Sequence, residues 1–204
     1  MNRWTTVLFI IVIALFLSAC GTGNEEDQET ENQEQSSPEN NMDTGEEQGG
    51  NATAEEEVLV SMMNQDGEMV ATATITEDDS GVNIHLVGEN LPPGTKGFHI
   101  HEAGKCETPD FESAGGHYNP TNAEHGFDHP EGPHAGDLQN IEIAEDGTVD
   151  VEVTADMVTS QMDEDNTLYT DEGTSLMIHS EADDYVSQPA GDAGDRIACG
   201  VIGE

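Results

Sequence analysis

The chain carries very little positive charge. Four Lys and Arg residues stand against 44 Asp and Glu residues among 204, which gives a formal net charge of −40. Proteins that bind nucleic acids need basic side chains to neutralise phosphates, so this composition excludes a nucleic-acid partner. Long hydrophobic runs are lacking as well. The apolar run at 7–17 has eleven residues, whereas a membrane-spanning helix needs about 20.

The N-terminus has the pattern of an export signal. Arg3 precedes the apolar run, and the run ends in the letters LSAC, of which the last is Cys20. A short apolar segment after a basic residue is typical of a secretion signal, and its end resembles the lipobox of bacterial lipoproteins. This resemblance predicts a lipoprotein signal peptide over residues 1–19, a lipid on Cys20, and export to the outer face of the bacterial cell membrane. An ordinary signal with an incidental cysteine is the alternative.

Polar and acidic residues dominate positions 20–57. Such a segment cannot bury enough apolar surface to offset the entropy of ordering it, and its like charges repel one another and extend it. We therefore predict that residues 20–57 form an acidic disordered tether that begins at the lipidated Cys20. The remaining residues, 58–204, are enough for one domain with its own core.

Short segments with alternating apolar residues recur through this domain, and no convincing amphipathic helix does. The pattern predicts eight strands, at 58–62, 68–76, 82–87, 97–101, 138–144, 148–153, 175–179 and 196–202. Turn signals at 65–67 and 145–147 join neighbouring strands as hairpins. We therefore predict an all-β fold, an antiparallel sandwich or barrel. The segments 102–136 and 180–195 fit no strand, and loops of that length are typical of functional sites.

Histidines are concentrated between His99 and His179. His99 and His101 are two positions apart on a predicted strand, so both project from the same face and can share one ion. Further candidate ligands are His117, His125, His134, Asp137 and His179. Imidazole suits copper and zinc, and zinc also accepts carboxylate oxygen. Seven candidates exceed one coordination sphere, so we predict two metal sites. A metalloprotease is disfavoured because no second histidine follows four positions after the first.

Three cysteines are present, and assigning Cys20 to the lipid leaves Cys106 and Cys199. An oxidising compartment would allow this pair to form a disulfide. The residues alone do not favour a disulfide over two free thiols.

Five blocks of sequence carry a family resemblance. The strings GFHIHEAGKC, SAGGHYNP, HAGDL, SLMIHSEADD and GDRIACGVI resemble the signature blocks of copper–zinc superoxide dismutases, and they occur in the family's order within 58–204. The resemblance implies an eight-stranded antiparallel Greek-key β-barrel or sandwich with two long functional loops. It also implies copper and zinc as cofactors and superoxide as the substrate.

The resemblance assigns roles by position. It implies copper ligands at His99, His101, His117 and His179, and zinc ligands at His117, His125, His134 and Asp137, so that both metals share His117. It implies that Asp183 links a copper histidine to a zinc histidine, that Arg196 guides the substrate anion, and that Cys106 and Cys199 form a disulfide. His85 and His129 fall outside the pattern, and we expect a strand-face residue and a surface residue there.

The implied reaction is dismutation of superoxide to dioxygen and hydrogen peroxide at the copper. His117 and Arg196 are the catalytic candidates, because His117 would leave the copper and take a proton during turnover. The alternative is a lipoprotein that stores copper or zinc without turnover. It would use the same ligands, but it would need neither Arg196 nor Asp183. The sequence leaves the oligomeric state open.

The charge of the domain conflicts with attraction of an anion. Residues 58–204 contain 31 acidic residues against Lys96, Lys105 and Arg196, and the loop 180–195 contains four aspartates and no lysine. A like charge roughly 10 Å from an anion costs about 0.4 kcal/mol in water before screening. We therefore expect catalysis to speed up, or to stay constant, as ionic strength rises. The high acidity could reflect a saline or alkaline habitat, or it could be a feature of the surface alone, and the sequence favours neither.

Overall fold

The computed structural model of the chain describes residues 57–203. Within them lie nine strands: β1 (Val58–Asn64), β2 (Met69–Asp78), β3 (Gly81–Gly88), β4 (Gly94–Lys96), β5 (Phe98–His101), β6 (Ile141–Ile143), β7 (Val149–Ala155), β8 (Thr174–His179) and β9 (Arg196–Ile202). The only helical element described is one 3₁₀ turn, Glu112–Ala114. The predicted signal peptide, Cys20 and all but the last residue of the predicted tether lie outside the described residues.

All the strand pairs are antiparallel, as predicted. Seven strands form one sheet in the order β5-β8-β9-β1-β2-β3-β7, and β4 pairs with β6 in a second, small sheet. No helix among residues 57–203 is long and apolar enough to cross a membrane.

The strand count differs from the prediction at one point, where Gly97 divides β4 from β5. The Gly97 N–H donates to the carbonyl of Glu181 (2.7 Å), and its own carbonyl accepts from the His179 N–H (2.8 Å). A Cβ on Gly97 would lie 3.0 Å from the Cβ of Ala193, so the close approach of the loop favours glycine. The chain therefore passes here from the small sheet to the large one. The predicted strand 97–101 is observed as β5, and β4 is an additional strand that the sequence pattern did not predict.

Alternation along the strands builds the core. In β3 the side chains of Val82, Ile84 and Leu86 are fully buried, whereas His85 and Val87 face solvent. Burying one such aliphatic side chain contributes roughly 1.5–3 kcal/mol. Aliphatic side chains dominate the main core cluster of the described residues. The candidate ligands lie beside this core, on β5, at the end of β8 and in the long loop between β5 and β6.

The loop 102–136 covers the free edge of β5. The Ile100 N–H donates to the carbonyl of Gly136, and the Ile100 carbonyl accepts from the Tyr118 N–H, both at 2.8 Å. A disulfide between Cys106 and Cys199 ties the beginning of this loop to β9. The implied pairing of these cysteines is confirmed.

We predict that Cys106→Ser lowers the free energy of unfolding by about 2–5 kcal/mol, because the crosslink restricts the unfolded chain. The bond joins residues 93 positions apart, so the closed loop is long. Urea unfolding of the variant and of the wild type provides the measurement. Adding a thiol reductant should bring the wild type to the stability of the variant and leave the variant unchanged. Equal stability of both proteins under oxidising conditions would contradict the prediction.

Candidate metal centre

Four buried histidines form a first group on the outer side of β5 and β8. Their candidate ligand atoms lie within 4.8 Å of one another, and the members are His99, His101, His117 and His179. His99 and His101 lie on β5, and His179 ends β8, where the pairing with β9 shifts register. His117 comes from the loop, and a backbone bridge places it opposite His101. Four imidazoles in one group suit copper.

A second group lies on the other side of His117. It contains His117, His125, His134 and Asp137, all of them buried, with candidate ligand atoms again within 4.8 Å of one another. The Nδ1 atoms of the three histidines lie 2.8, 3.1 and 3.2 Å from the same Asp137 oxygen, Oδ1. Three imidazoles and one carboxylate around a point are a donor set that zinc accepts. His117 belongs to both groups.

Two buried nitrogens indicate whether a metal ion fits these two groups of ligands. His99 Nδ1 and His117 Nε2 have no hydrogen-bond partner within residues 57–203. Both belong to the first group, where His101 Nε2 and His179 Nε2 also face each other at 3.4 Å. Buried polar atoms are almost always paired in proteins, and imidazole nitrogens that converge without donors suit a metal ion. The residues present fit the copper and zinc that the sequence implies.

Burial and hydrogen bonding shift the pKa values of these histidines in opposite directions. Burial lowers the pKa of His117 to about 4 and that of His179 to about 3, so both rings are neutral near pH 7. Neutral imidazole is the form that binds metal. Although burial acts against it, hydrogen bonding to Asp137 and Asp183 raises the pKa of His125 to about 9. The carboxylates therefore concentrate negative charge on the zinc side.

Asp183 lies between the two groups. Its Oδ2 lies 2.7 Å from His99 Nε2, and its Oδ1 lies 3.0 Å from His125 Nε2. Asn140 holds Asp183 in turn, because the Asn140 side-chain amide donates to the Asp183 carbonyl (2.8 Å) and accepts from the Asp183 N–H (2.9 Å). Such contacts orient the rings of metal ligands.

Arg196 borders a cavity of about 440 Å³, which His101, His117 and His179 also line. Its guanidinium donates from Nη1 to the Phe111 carbonyl (2.6 Å) and from Nη2 to the Gly115 carbonyl (2.7 Å). Two of its five N–H donors are used in this way. The others can meet a small anion in the cavity.

The two remaining histidines lie outside both groups, as expected. His85 is exposed on β3, and its Nε2 is 2.8 Å from Asp150 Oδ1. His129 accepts at Nδ1 from the Glu131 N–H (3.2 Å).

Comparison with known proteins agrees with this geometry. The sequence model of the family "Copper/zinc superoxide dismutase (SODC)" matches residues 69–202. The chain belongs to the copper/zinc superoxide dismutase family. It is 50% identical over 142 residues to copper–zinc superoxide dismutase 1 of Aquifex aeolicus, which covers 69% of this chain and 84% of that protein. It is 45% identical over 145 residues to the superoxide dismutase-like protein YojM of Bacillus subtilis, at 70% and 74% coverage.

Solved structures agree on the fold. A SOD-like protein from Bacillus subtilis superposes with a TM-score of 0.69 at 44% identity, covering 71% of this chain and 97% of that one. The Cu/Zn superoxide dismutase from Brucella abortus gives 0.61 at 32% identity, covering 72% and 99%. The predicted Greek-key β-barrel class is therefore confirmed, with β4 as one additional short strand. As a copper–zinc superoxide dismutase, the enzyme has copper and zinc as cofactors.

Sequence reasoning missed three residues that shape the superoxide dismutase site. Asn140 carries no motif signal, since its partner Asp183 is 43 positions away. Gly191 approaches Asp183 so closely that a Cβ would lie 1.9 Å from Oδ1 and 2.6 Å from His125 Nε2. Glu102 lines the cavity of Arg196. Its position directly after the HIH string is the one feature of the sequence that places Glu102 near the metal ligands.

We predict that Gly191→Ala weakens zinc binding about 10- to 100-fold, the usual effect of displacing a group that orients metal ligands. The new methyl group would push Asp183 away from His125. Chelator competition with the metal-loaded protein measures the affinity. Gly67→Ala is the matched control, because Gly67 also has a positive φ (77° against 68°), but a Cβ added there would meet no atom within 4 Å. Equal zinc affinity in the two variants would contradict the prediction.

Proposed function

We propose that this enzyme dismutates superoxide at a copper held by His99, His101, His117 and His179, beside a zinc held by His117, His125, His134 and Asp137. His117 is shared by the two metals in this assignment. The observation that carries it is the position of the His117 ring, whose Nδ1 lies 2.8 Å from Asp137 while its Nε2 belongs to the copper group. One imidazole with a nitrogen toward each group suits a bridge between two cations.

Arg196 binds and orients the substrate in this proposal. Its two hydrogen bonds to main-chain carbonyls fix the planar guanidinium at the cavity wall. A fixed, permanently charged group with parallel donors suits a small anion. Superoxide would therefore bind between Arg196 and the copper-side histidines.

Copper supplies one-electron chemistry when bound: one superoxide gives up an electron and leaves as dioxygen, and a second takes that electron and two protons and leaves as hydrogen peroxide. His117 can hold one of those protons at Nε2, which has no hydrogen-bond partner among the described residues, because its ring lines the cavity. Asp137 keeps the ring oriented through Nδ1 meanwhile. Asp183 holds the neighbouring His99 ring in the same way.

A metal-storage lipoprotein remains the alternative function, and the position of Arg196 argues against it. Storage requires no cation beside the ligands, and a half-buried positive charge there would oppose the uptake of copper. Arg196 nevertheless shares one cavity with three of the four copper-side histidines. Turnover of a small anion explains this arrangement.

We further propose export and anchoring through a lipid on Cys20, at the outer face of the cell membrane. The support is the LSAC string after an apolar run and the acidic segment that follows. The disulfide between Cys106 and Cys199 is consistent with an oxidising compartment outside the cytosol.

We predict that Arg196→Ala lowers kcat/KM for superoxide about 10- to 100-fold, the equivalent of one or two hydrogen bonds to a charged group. Rates by pulse radiolysis, with copper and zinc contents measured in each sample, provide the test. Arg196→Lys keeps the charge without the fork of donors and should give an intermediate rate. A fully metallated wild type without activity would reject the enzyme in favour of storage. An Arg196→Ala rate equal to that of the wild type would reject the substrate role.

A second prediction concerns salt. Because the domain is strongly acidic, kcat/KM should rise or stay constant as ionic strength increases from about 10 mM to 150 mM, a range over which the screening length falls from about 30 Å to 8 Å. The same rate measurements in a sodium chloride series provide the test. A steep fall of the rate with added salt would show net attraction and contradict the prediction.

A further inference from the structure

The cavity beside Arg196 contains a single carboxylate. Apart from histidines, the described residues that line it include one acid, Glu102, and one base, Arg196. None of the four aspartates of the loop 180–195 is among these lining residues. The carboxylate within the cavity itself is therefore that of Glu102, an exposed side chain immediately after β5, whereas Asp110, Glu112 and Asp195 lie near Arg196 in an adjoining pocket.

Glu102 holds the main chain that precedes the shared histidine. Its Oε1 accepts from the Gly116 N–H (2.9 Å), and its own N–H donates to the Gly116 carbonyl (2.9 Å). The side chain lies so close that a Cβ on Gly115 would be 2.5 Å from Oε1. Backbone and side chain of Glu102 thus fix the Gly115–Gly116 segment together.

That segment orients two functional groups at once. The Gly115 carbonyl accepts from Arg196 Nη2 at 2.7 Å, and it lies 3.0 Å from His101 Nδ1. One carbonyl therefore connects the substrate-binding guanidinium with a copper-side imidazole. A shift of the Gly115–Gly116 segment would move both.

We propose that Glu102 is a positioning residue that fixes Arg196 and His101 through the Gly115–Gly116 segment, while its negative charge weakens the binding of anions in the cavity. The proposal rests on the proposed function, since it concerns anions that bind beside the copper. The two effects of Glu102 can be separated chemically. A glutamine keeps the acceptor oxygen for the Gly116 N–H and removes the charge, whereas an alanine removes both.

The test is azide binding to the copper- and zinc-loaded protein, followed by its visible absorption, together with the copper EPR spectrum of each variant. At low ionic strength Glu102→Gln should bind azide about two- to fourfold more tightly than the wild type, as expected for removing one charge some 5–10 Å away. The difference should largely vanish near 1 M salt, where screening acts within about 3 Å. Its EPR spectrum should match the wild type.

Glu102→Ala should bind azide more weakly than Glu102→Gln at every ionic strength and should change the copper EPR spectrum, because the Gly115–Gly116 segment that orients His101 and Arg196 loses its side-chain hydrogen bond and keeps only the main-chain one. The control is Glu152→Gln, which removes the same charge from an exposed position on β7. Equal azide affinity in Glu102→Gln and Glu152→Gln would overturn the role of the charge. Identical EPR spectra and affinities in the alanine and glutamine variants would overturn the positioning role. Azide binding is independent of turnover, so an inactive wild type would reject the proposed function without deciding these comparisons.

Discussion

The metal centre depends on the hydrogen bonds that the free edge of β5 makes with the loop 102–136. An edge strand leaves a row of unpaired N–H and C=O groups, and here the loop pairs with them on both sides of Ile100. The same backbone pairing sets His117 opposite His101 and Asp137 opposite His99. The main chain, and not only the side chains, therefore holds the two candidate metal groups next to each other.

The site needs rigid main-chain support because burying its polar side chains costs free energy. Seven polar side chains lie together in the protein, and two of their nitrogens lack partners among residues 57–203. Metal binding to such a group contributes to folding free energy, since the site does not exist in the unfolded chain. The disulfide and Asp183 restrain the two long loops from opposite ends of the centre. Cys106 ties the first loop to β9, and Asp183, in the second loop, contacts a histidine of each group.

Much of this arrangement could be predicted from the sequence, and the exceptions share a cause. Alternation located β2 and β3 to within two residues, because each buries every second side chain against one core. The three-residue strand β4 is too short to show a period, so β4 and its pairing with β6 in the small sheet were missed, although β6 lies within the predicted strand 138–144. The clustering of histidines identified the candidate ligands, and the family motifs assigned each of them to copper or zinc. The sequence could not predict the roles of Asn140, Gly191 and Glu102, because these roles depend on contacts with residues that only the fold brings near.

Net charge and local charge have different consequences in this protein. Asp183 counts among the acidic residues of its loop, yet it is buried between two imidazoles, whose hydrogen bonds hold its pKa well below the usual range despite burial. Asp184, Asp192 and Asp195 are exposed, where water and salt screen them strongly. Glu102 is exposed as well, but it lines the same cavity as Arg196, so its charge lies close to an anion bound there. The surplus of carboxylates therefore governs solubility and the long-range approach of an anion, whereas the balance between these two side chains governs its binding.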